Sequence, residues 1–310
     1  MKVPVLREAE RVEITVLVDN YIDTFLIEST DVMKRPKAFP AVGPLAEHGL
    51  SCLIKVFADS EEHVILMDAG RSALCLLHNI EVSDVDTKAI EGVVLSHGHR
   101  DHFGGLLEVL KMVTAGIPLV LHPDAFLQRR MNPSGGDIRN APLLDEDALK
   151  ETGVEIRKER DASTLASDLI MVLGQVERLT DFEKGLVWAE AKIDDQWIMD
   201  PILDDQGVAI NVRGKGLVVL GGCSHAGIIN TIKHAQKVSK TNRVHAVLGG
   251  FHLTGPLFEP IIGRTIKEMK KLQPAFVVPM HCTGWKAINQ FAVEMPEQFL
   301  LNSVGTTYVF

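Results

Sequence analysis

The chain reads as an α/β protein folded as a four-layer αβ/βα sandwich, and three observations lead there. Apolar, β-forming runs recur in two halves of the sequence, and stretches that read as helices accompany each half. Histidine stands at the C-terminal end of four such runs, at His97, His225, His252 and His281, with glycine nearby each time. Sites in α/β sheets form outside the carboxyl ends of strands, so these four are expected to converge at the rim between two sheets. Finally, 310 residues, 46% hydrophobic and 24% charged, are enough to bury a large core. We read residues 1–310 as a single domain, with 124–165 as a surface insertion or lid.

Taken in order, Val12 to Asp19 alternates and is β-rich, which predicts a first strand. Tyr21 to Ala46 is irregular, with Pro36, Pro40 and Pro44, and is expected to be loop. Cys52 to Phe57 predicts a second strand, Glu61-Glu62 a hairpin turn, and His63 to Met67 a third strand ending in Asp68-Ala69-Gly70. Ser72 suits the cap of a helix to Asn79. A buried strand is expected over Gly92-Val93-Val94-Leu95, a helix over Leu106 to Leu110, and a strand over Pro118 to Pro123. The segment 128–139 has no clean period and is basic within an acidic protein. It reads either as a solvated insertion or as a wall whose Arg129, Arg130 and Arg139 reach an anionic substrate, since guanidinium matches phosphate bidentately. Leu186 to Ile193 and Trp197 to Met199 suggest a hairpin, and Gly207 to Val212 and Leu217 to Leu220 two further strands. Helices over Ile228 to Val238 and Pro260 to Leu272 alternate with strands over Val244 to Leu248 and Ala275 to Pro279. A last helix and the β-rich tail Val304 to Phe310 close the chain.

The densest chemistry lies in Ser96-His97-Gly98-His99-Arg100-Asp101-His102-Phe103-Gly104-Gly105. Residues at i and i+2 on extended backbone point the same way, so His97 and His99 can grip one ion. Asp101 and His102 sit past the bend and can face a second. Neutral imidazoles with one carboxylate suit zinc, as one or two ions, with iron, manganese or magnesium as alternatives. Cys52, Cys75, Cys223 and Cys282 are scattered with no CxxC pair, which argues against a cysteine-based structural zinc site. Cys223 and Cys282 lie close to histidines; they read first as small space-filling residues and second as reactive or metal-bound thiols.

The string HxHxDH followed by Gly-Gly resembles the motif of the metallo-β-lactamase superfamily. The resemblance implies the fold of that family, with Asp68 bracing the metal loop through hydrogen bonds. It also implies two ligand trios: His97, His99 and His225 for one ion, and Asp101, His102 and His281 for the other. Members with two metals usually carry a bridging aspartate on a strand end between the last two histidines. Here that place reads Gly249-Gly250-Phe251-His252, with no acid. His252 then either acts at the site, as ligand or acid/base, or merely packs beside it. With Asp101 and a bound hydroxide, two divalent ions would keep about two positive charges, which favours an anionic substrate such as a phosphate or diphosphate. Arg100 either adds to this field or points to solvent, and His48 either lines the pocket or is structural. Metal lowers the pKa of a bound water to about 7 and polarises carbonyl or phosphoryl oxygens, and Asp101 is placed to orient that water.

Glu47-His48-Gly49-Leu50-Ser51, the block Gly222 to Ile232, Gly249 to Leu253 and Met280 to Gly284 resemble, more narrowly, the dihydropterin–ribofuranosylaminobenzene phosphate synthase group. That group's named activity joins a pterin diphosphate to an aminobenzene ribose phosphate. The resemblance thus implies a metal-dependent hydrolase or transferase acting on a phosphorylated or diphosphate small molecule. The rival readings are a thioesterase or lactonase of the same fold and a non-catalytic metal-binding protein. The net charge of −9 and pI near 5.7 argue against charge-driven nucleic-acid binding. The N-terminal ten residues lack the apolar core of a signal peptide, and no run has membrane-span length, so a soluble cytoplasmic protein is expected. A homo-oligomer stays open.

Overall fold

The computed structural model describes residues 4–36, 42–133 and 136–310. Pro40 of the expected loop, Ser134 and Gly135 of the basic segment, and the first three residues lie outside these. Two large sheets stack face to face. The first has eight strands in the order Glu155–Lys158, Pro118–Leu121, Gly92–Val94, Glu61–Met67, Ser51–Ala58, Arg11–Val18, Thr307–Val309, Met33–Lys34. The second runs Ser163–Leu165, Ile170–Val172, Gly207–Val212, Gly216–Gly221, Val244–Gly250, Phe276–Met280, with Glu8–Ala9 pairing parallel to Gly207–Val212.

The period-2 pattern of the strands sets the layering. Val12, Ile14, Val16, Cys52, Ile54 and Val56 point into the core between the sheets and meet Val218, Leu220, Ala246, Leu248 and Val278. The intervening Leu17, Leu53, Leu66 and Val93 face the other way, onto Leu76, Ile80, Val109 and Leu110 of the helices Ala73–Val82 and Leu106–Leu110. On the far side, Leu217, Val219, Val247 and Val277 pack on Ile228, Ile232, Ile266, Ala287 and Phe291 of the helices Ile228–Ser239, Ile262–Leu272 and Trp285–Glu294. Each strand thus feeds two cores, and the result is the expected four layers.

The expected elements recur with small shifts, but Tyr21 to Ala46, expected to be loop, contributes the edge strand Met33–Lys34, defined by its pairing with Thr307–Val309. The hairpin turn falls at Asp59-Ser60, and Glu61 and Glu62 already belong to the strand. Ser72 caps its helix, its hydroxyl accepting from Cys75 N, and the helix runs on to Val82. The segment 124–165 is more ordered than its composition suggests. Arg129–Met131 and Arg139–Asn140 join Ala189–Ile193 and Gln196–Met199 in a third, four-stranded sheet, and Glu155–Lys158 extends the first sheet in parallel with Pro118–Leu121. Among the described residues, no helix is long and apolar enough to cross a membrane.

Candidate metal centre

The loop after Gly92–Val94 is held open by its neighbours rather than by its own packing. Asp68, wholly buried at the end of Glu61–Met67, accepts from Ser96 N (2.7 Å) and Ser96 Oγ (2.7 Å), and its Oδ2 lies 2.6 Å from His102 Nδ1. Gly98 donates its N–H to Asp204 Oδ2 at 2.8 Å, and Gln206 bonds Leu95 O through Nε2 and Ser96 O through its backbone N–H. Gly98 must be glycine, because a Cβ there would lie 2.2 Å from Ala125 O. Asp68, Ser224, His252 and His281 all adopt positive φ, between 45° and 61°, a left-handed conformation costly for non-glycine residues and typical of functional sites.

Three donor groups result. His97 Nε2 lies 3.0 Å from His99 Nδ1 and 3.2 Å from His225 Nε2, and His99 Nδ1 lies 3.1 Å from His225 Nε2. Burial pushes the His97 and His225 imidazoles well below their ordinary pKa, helped by the neighbouring rings, and brings His99 down to about 4. At neutral pH all three are therefore uncharged lone-pair donors. Three imidazole nitrogens this close cannot all be satisfied by each other's single N–H groups. Around one zinc with Zn–N near 2.0–2.1 Å, tetrahedral ligand nitrogens would be roughly 3.3 Å apart, so the donor set fits a cation.

The second group is Asp101, His102, Cys223 and His281. Asp101 Oδ2 is 3.4 Å from His281 Nε2 and 4.0 Å from His102 Nε2. Burial opposes the Asp101 charge, but His102 and His281 outweigh it and hold the carboxyl far below its usual range. His102 is also desolvated, yet Asp68 and Asp101 raise its pKa to about 9, so a metal there must displace a proton. His281 Nδ1 faces Asn20 Oδ1 at 3.2 Å, which places its proton there and leaves Nε2 free as a donor. The third group joins Cys223, His225 and His252. The His252 ring lies 4.3 Å from that of His225, and its buried Nδ1 has no partner among the described residues.

The residues expected to touch substrate are scattered. His48 is exposed, with Nε2 3.5 Å from Asp101 Oδ2, and Arg100 lines an open cleft with Arg71 and Pro142. Arg129, by contrast, is only 5% exposed: Nε donates to Asp200 Oδ2 at 2.7 Å and Nη2 to Asp204 Oδ1 at 2.6 Å. Its charge is paired inward with both carboxylates, while its buried Nη1, next to Gly98, has no partner among the described residues. Arg130 is turned to Glu190 and stacks on Trp197, while Arg139 is exposed on its two-residue strand. Sequence reasoning missed Asp200, Asp204 and Gln206 as braces and ranked a metal-bound Cys223 second to a space-filling one. For Cys223 the available signal was its place two residues before His225 at a strand end.

Comparison with known proteins now adds to this geometry. Residues 50–175 match the model of the metallo-beta-lactamase superfamily. A protein of Methanocaldococcus jannaschii, 7,8-dihydropterin-6-methyl-4-(beta-D-ribofuranosyl)-aminobenzene-5'-phosphate synthase, is 36% identical over 82% of this chain and 87% of its own length. MJ0448, an uncharacterized protein of the same organism, is 32% identical over 80% of this chain and 88% of its own. Among solved structures, Tm1679, a metal-dependent hydrolase of the beta-lactamase superfamily, superposes with a TM-score of 0.74 at 25% identity, covering 96% of this chain and 98% of that one. The chain therefore belongs to the metallo-β-lactamase superfamily, as an enzyme resembling the dihydropterin–ribofuranosylaminobenzene phosphate synthase branch.

Proposed function

We propose that the protein is a metal-dependent hydrolase or transferase acting on an anionic, phosphorylated small molecule. One observation carries the reading furthest. Eight donor side chains from four chain segments meet in overlapping groups, and Asp101 is the one carboxylate among them. A centre so rich in neutral donors leaves the charge of divalent ions largely uncancelled, which favours an anion. His97, His99 and His225 would hold one ion, and Asp101, His102 and His281 the other. Zinc suits these donors; iron and manganese are alternatives. When bound, such ions supply Lewis-acid polarisation and an acidified water. Asp101, kept ionised, orients the attacking group by accepting its hydrogen bond. We assign His252, buried beside His225 and with Nδ1 unpartnered among the described residues, to passing a proton to a leaving group.

Transfer between two substrates gains support from the surroundings. A cavity of 270 Å³ reaches His225 and His252 and is walled by Phe182, Phe251 and Phe258, with Lys184 among its lining. A second cavity, of 250 Å³ and lined by Asn20, Tyr21 and Trp285, reaches His281. Two organic groups can therefore approach the centre through separate cavities, one at His225 and His252 and one at His281. The M. jannaschii relative is named as a phosphate synthase, which fits that arrangement. Of the segment 124–165, Pro142 lines the Arg71–Arg100 cleft, and we assign this part of the segment to its wall. The test is turnover by zinc- or manganese-loaded protein across phosphoester, diphosphate, thioester and lactone panels. Turnover of phosphorylated compounds is expected. Turnover of thioesters or lactones alone, or of nothing with the site fully loaded, would overturn the reading.

A further inference from the structure

The superfamily resemblance leaves a gap: nothing acidic stands on the strand end Gly249-Gly250-Phe251-His252 to tie two cations together. Another strand offers a further donor. Cys223 follows Gly216–Gly221, is 2% exposed and is in no disulfide. Its Sγ lies 3.1 Å from His102 Nε2 and 3.3 Å from His281 Nε2. The same sulfur belongs to two of the three donor groups, with Asp101, His102 and His281 on one side and His225 and His252 on the other. Since His225 also belongs with His97 and His99, Cys223 and His225 link the groups into one continuous cluster.

A filler cysteine would be surrounded by carbon. Here two imidazole nitrogens lie within 3.3 Å of the sulfur, and Asp101, His225 and His252 offer further ligand atoms close by. The imidazole proton positions sharpen the point. His102 Nδ1 is turned to Asp68 and His281 Nδ1 to Asn20, so each ring directs its Nε2 at the sulfur. The buried His225 also keeps Nδ1 without a partner among the described residues. Around a shared zinc, with Zn–S near 2.3 Å and Zn–N near 2.0–2.1 Å, sulfur and nitrogen would sit roughly 3.5 Å apart, within a few tenths of an ångström of what is seen. Backbone packing delivers the sulfur there. A Cβ on Gly222 would lie 2.3 Å from Ser96 Oγ, so only glycine lets the strand end slide under the metal loop. Cys282 has a different place: its Sγ donates to Cys223 O at 3.4 Å and so steadies the backbone of Cys223.

We propose that Cys223 is a thiolate ligand of the second ion, the one that Asp101, His102 and His281 would hold. The thiol proton leaves to solvent as the sulfur takes the cation. A soft thiolate tilts the second position toward zinc, iron or cobalt and away from magnesium. It also removes one positive charge from the centre. This inference rests on the metal-centre reading above, and its test separates the two.

The full chain is loaded with cobalt(II) under exclusion of oxygen, and its absorption spectrum and metal content are measured. The wild type is expected to show an intense near-ultraviolet thiolate-to-cobalt charge-transfer band. Cys223→Ser should lose that band together with the second ion and keep the first. Cys223→Asp, which offers a carboxylate instead, should hold both ions without the band, and guards against simple misfolding of the serine variant. Cys282→Ser should keep the band. A band that persists in Cys223→Ser, or a wild type that holds two ions with no band, overturns the thiolate assignment and leaves the metal centre standing. A wild type that takes up no ion overturns both.

Discussion

In the group formed by His97, His99 and His225 every donor is an imidazole, each is neutral, and the loop is steadied from behind by Arg129, Asp204 and Gly98. In the group formed by Asp101, His102, Cys223 and His281 a carboxylate is present, His102 holds a proton more tightly than an ordinary histidine, and the braces are Asp68 and Asn20. The difference teaches how one rim can build two unlike positions. The first is preorganised by burial, which keeps its donors deprotonated and ready. The second is assembled by charge, and there a cation has to compete with a proton. The two groups share one support, since Ser96 Oγ, bonded to Asp68, lies 3.0 Å from His97 Nδ1 and 3.3 Å from His102 Nδ1, while Arg129 and Asp204 stand behind the first group and Asn20 behind the second.

The severest break is at the first group. His97→Ala combined with His225→Ala should abolish tight uptake of the first ion and with it all turnover, as read by metal content after dialysis. Stoichiometric first-site metal in that variant would contradict the ligand assignment. Next comes the support of the same group. Arg129→Met leaves the carboxylates of Asp200 and Asp204, 4% and 0% exposed, without a counter-charge. Breaking a buried pair in this way costs ~3–5 kcal/mol, measurable as a lower urea midpoint of the metal-free protein. An unchanged midpoint would show that the pair is not what holds the third sheet to the loop. On the other side, Asp68→Asn weakens the hydrogen bond that orients His102. Loss of such a support lowers metal affinity about 10–100-fold, here at the second ion, with a smaller loss at the first, which Asp68 reaches only through Ser96. Equal weakening of both would mean that the two positions are one unit.

The smallest effect is expected far from either group. His245 lies edge-on to Phe276 and Phe310, and burial, with Lys215 and Arg243 adding to it, brings its pKa down from 6.5 to about 4. The folded state therefore disfavours the charged ring. Its contribution to stability is complete above pH 6.5 and is lost as pH falls toward 4. His245→Phe should flatten that part of the acid limb of urea stability in metal-free protein while leaving metal uptake alone. An unchanged slope would remove His245 from the account.

The histidines and the aspartate of both groups were legible in the sequence, for a physical reason. His97, His99, Asp101 and His102 are local, and the strand ends at His225, His252 and His281 follow apolar β-runs that announce themselves. Strand periodicity also carried the layering, because residues such as Leu53 and Ile54 must face different cores. What stayed hidden depends on pairings between distant segments. Arg129 looked like a surface residue in a basic loop, since nothing local says that Asp200 and Asp204 will meet it more than seventy positions later. The strand Glu155–Lys158 has little apolar character of its own and is defined by its partner Pro118–Leu121. Cys223 reads as filler until His102 and His281 are brought against it.

The most direct test is an anomalous-difference map at the zinc edge from crystals of the zinc-loaded chain. The account predicts a strong peak within bonding distance of His97, His99 and His225 together, with a second beside Asp101, His102 and His281. A zinc peak elsewhere, or His225 turned away from the loop that carries His97 and His99, would contradict it.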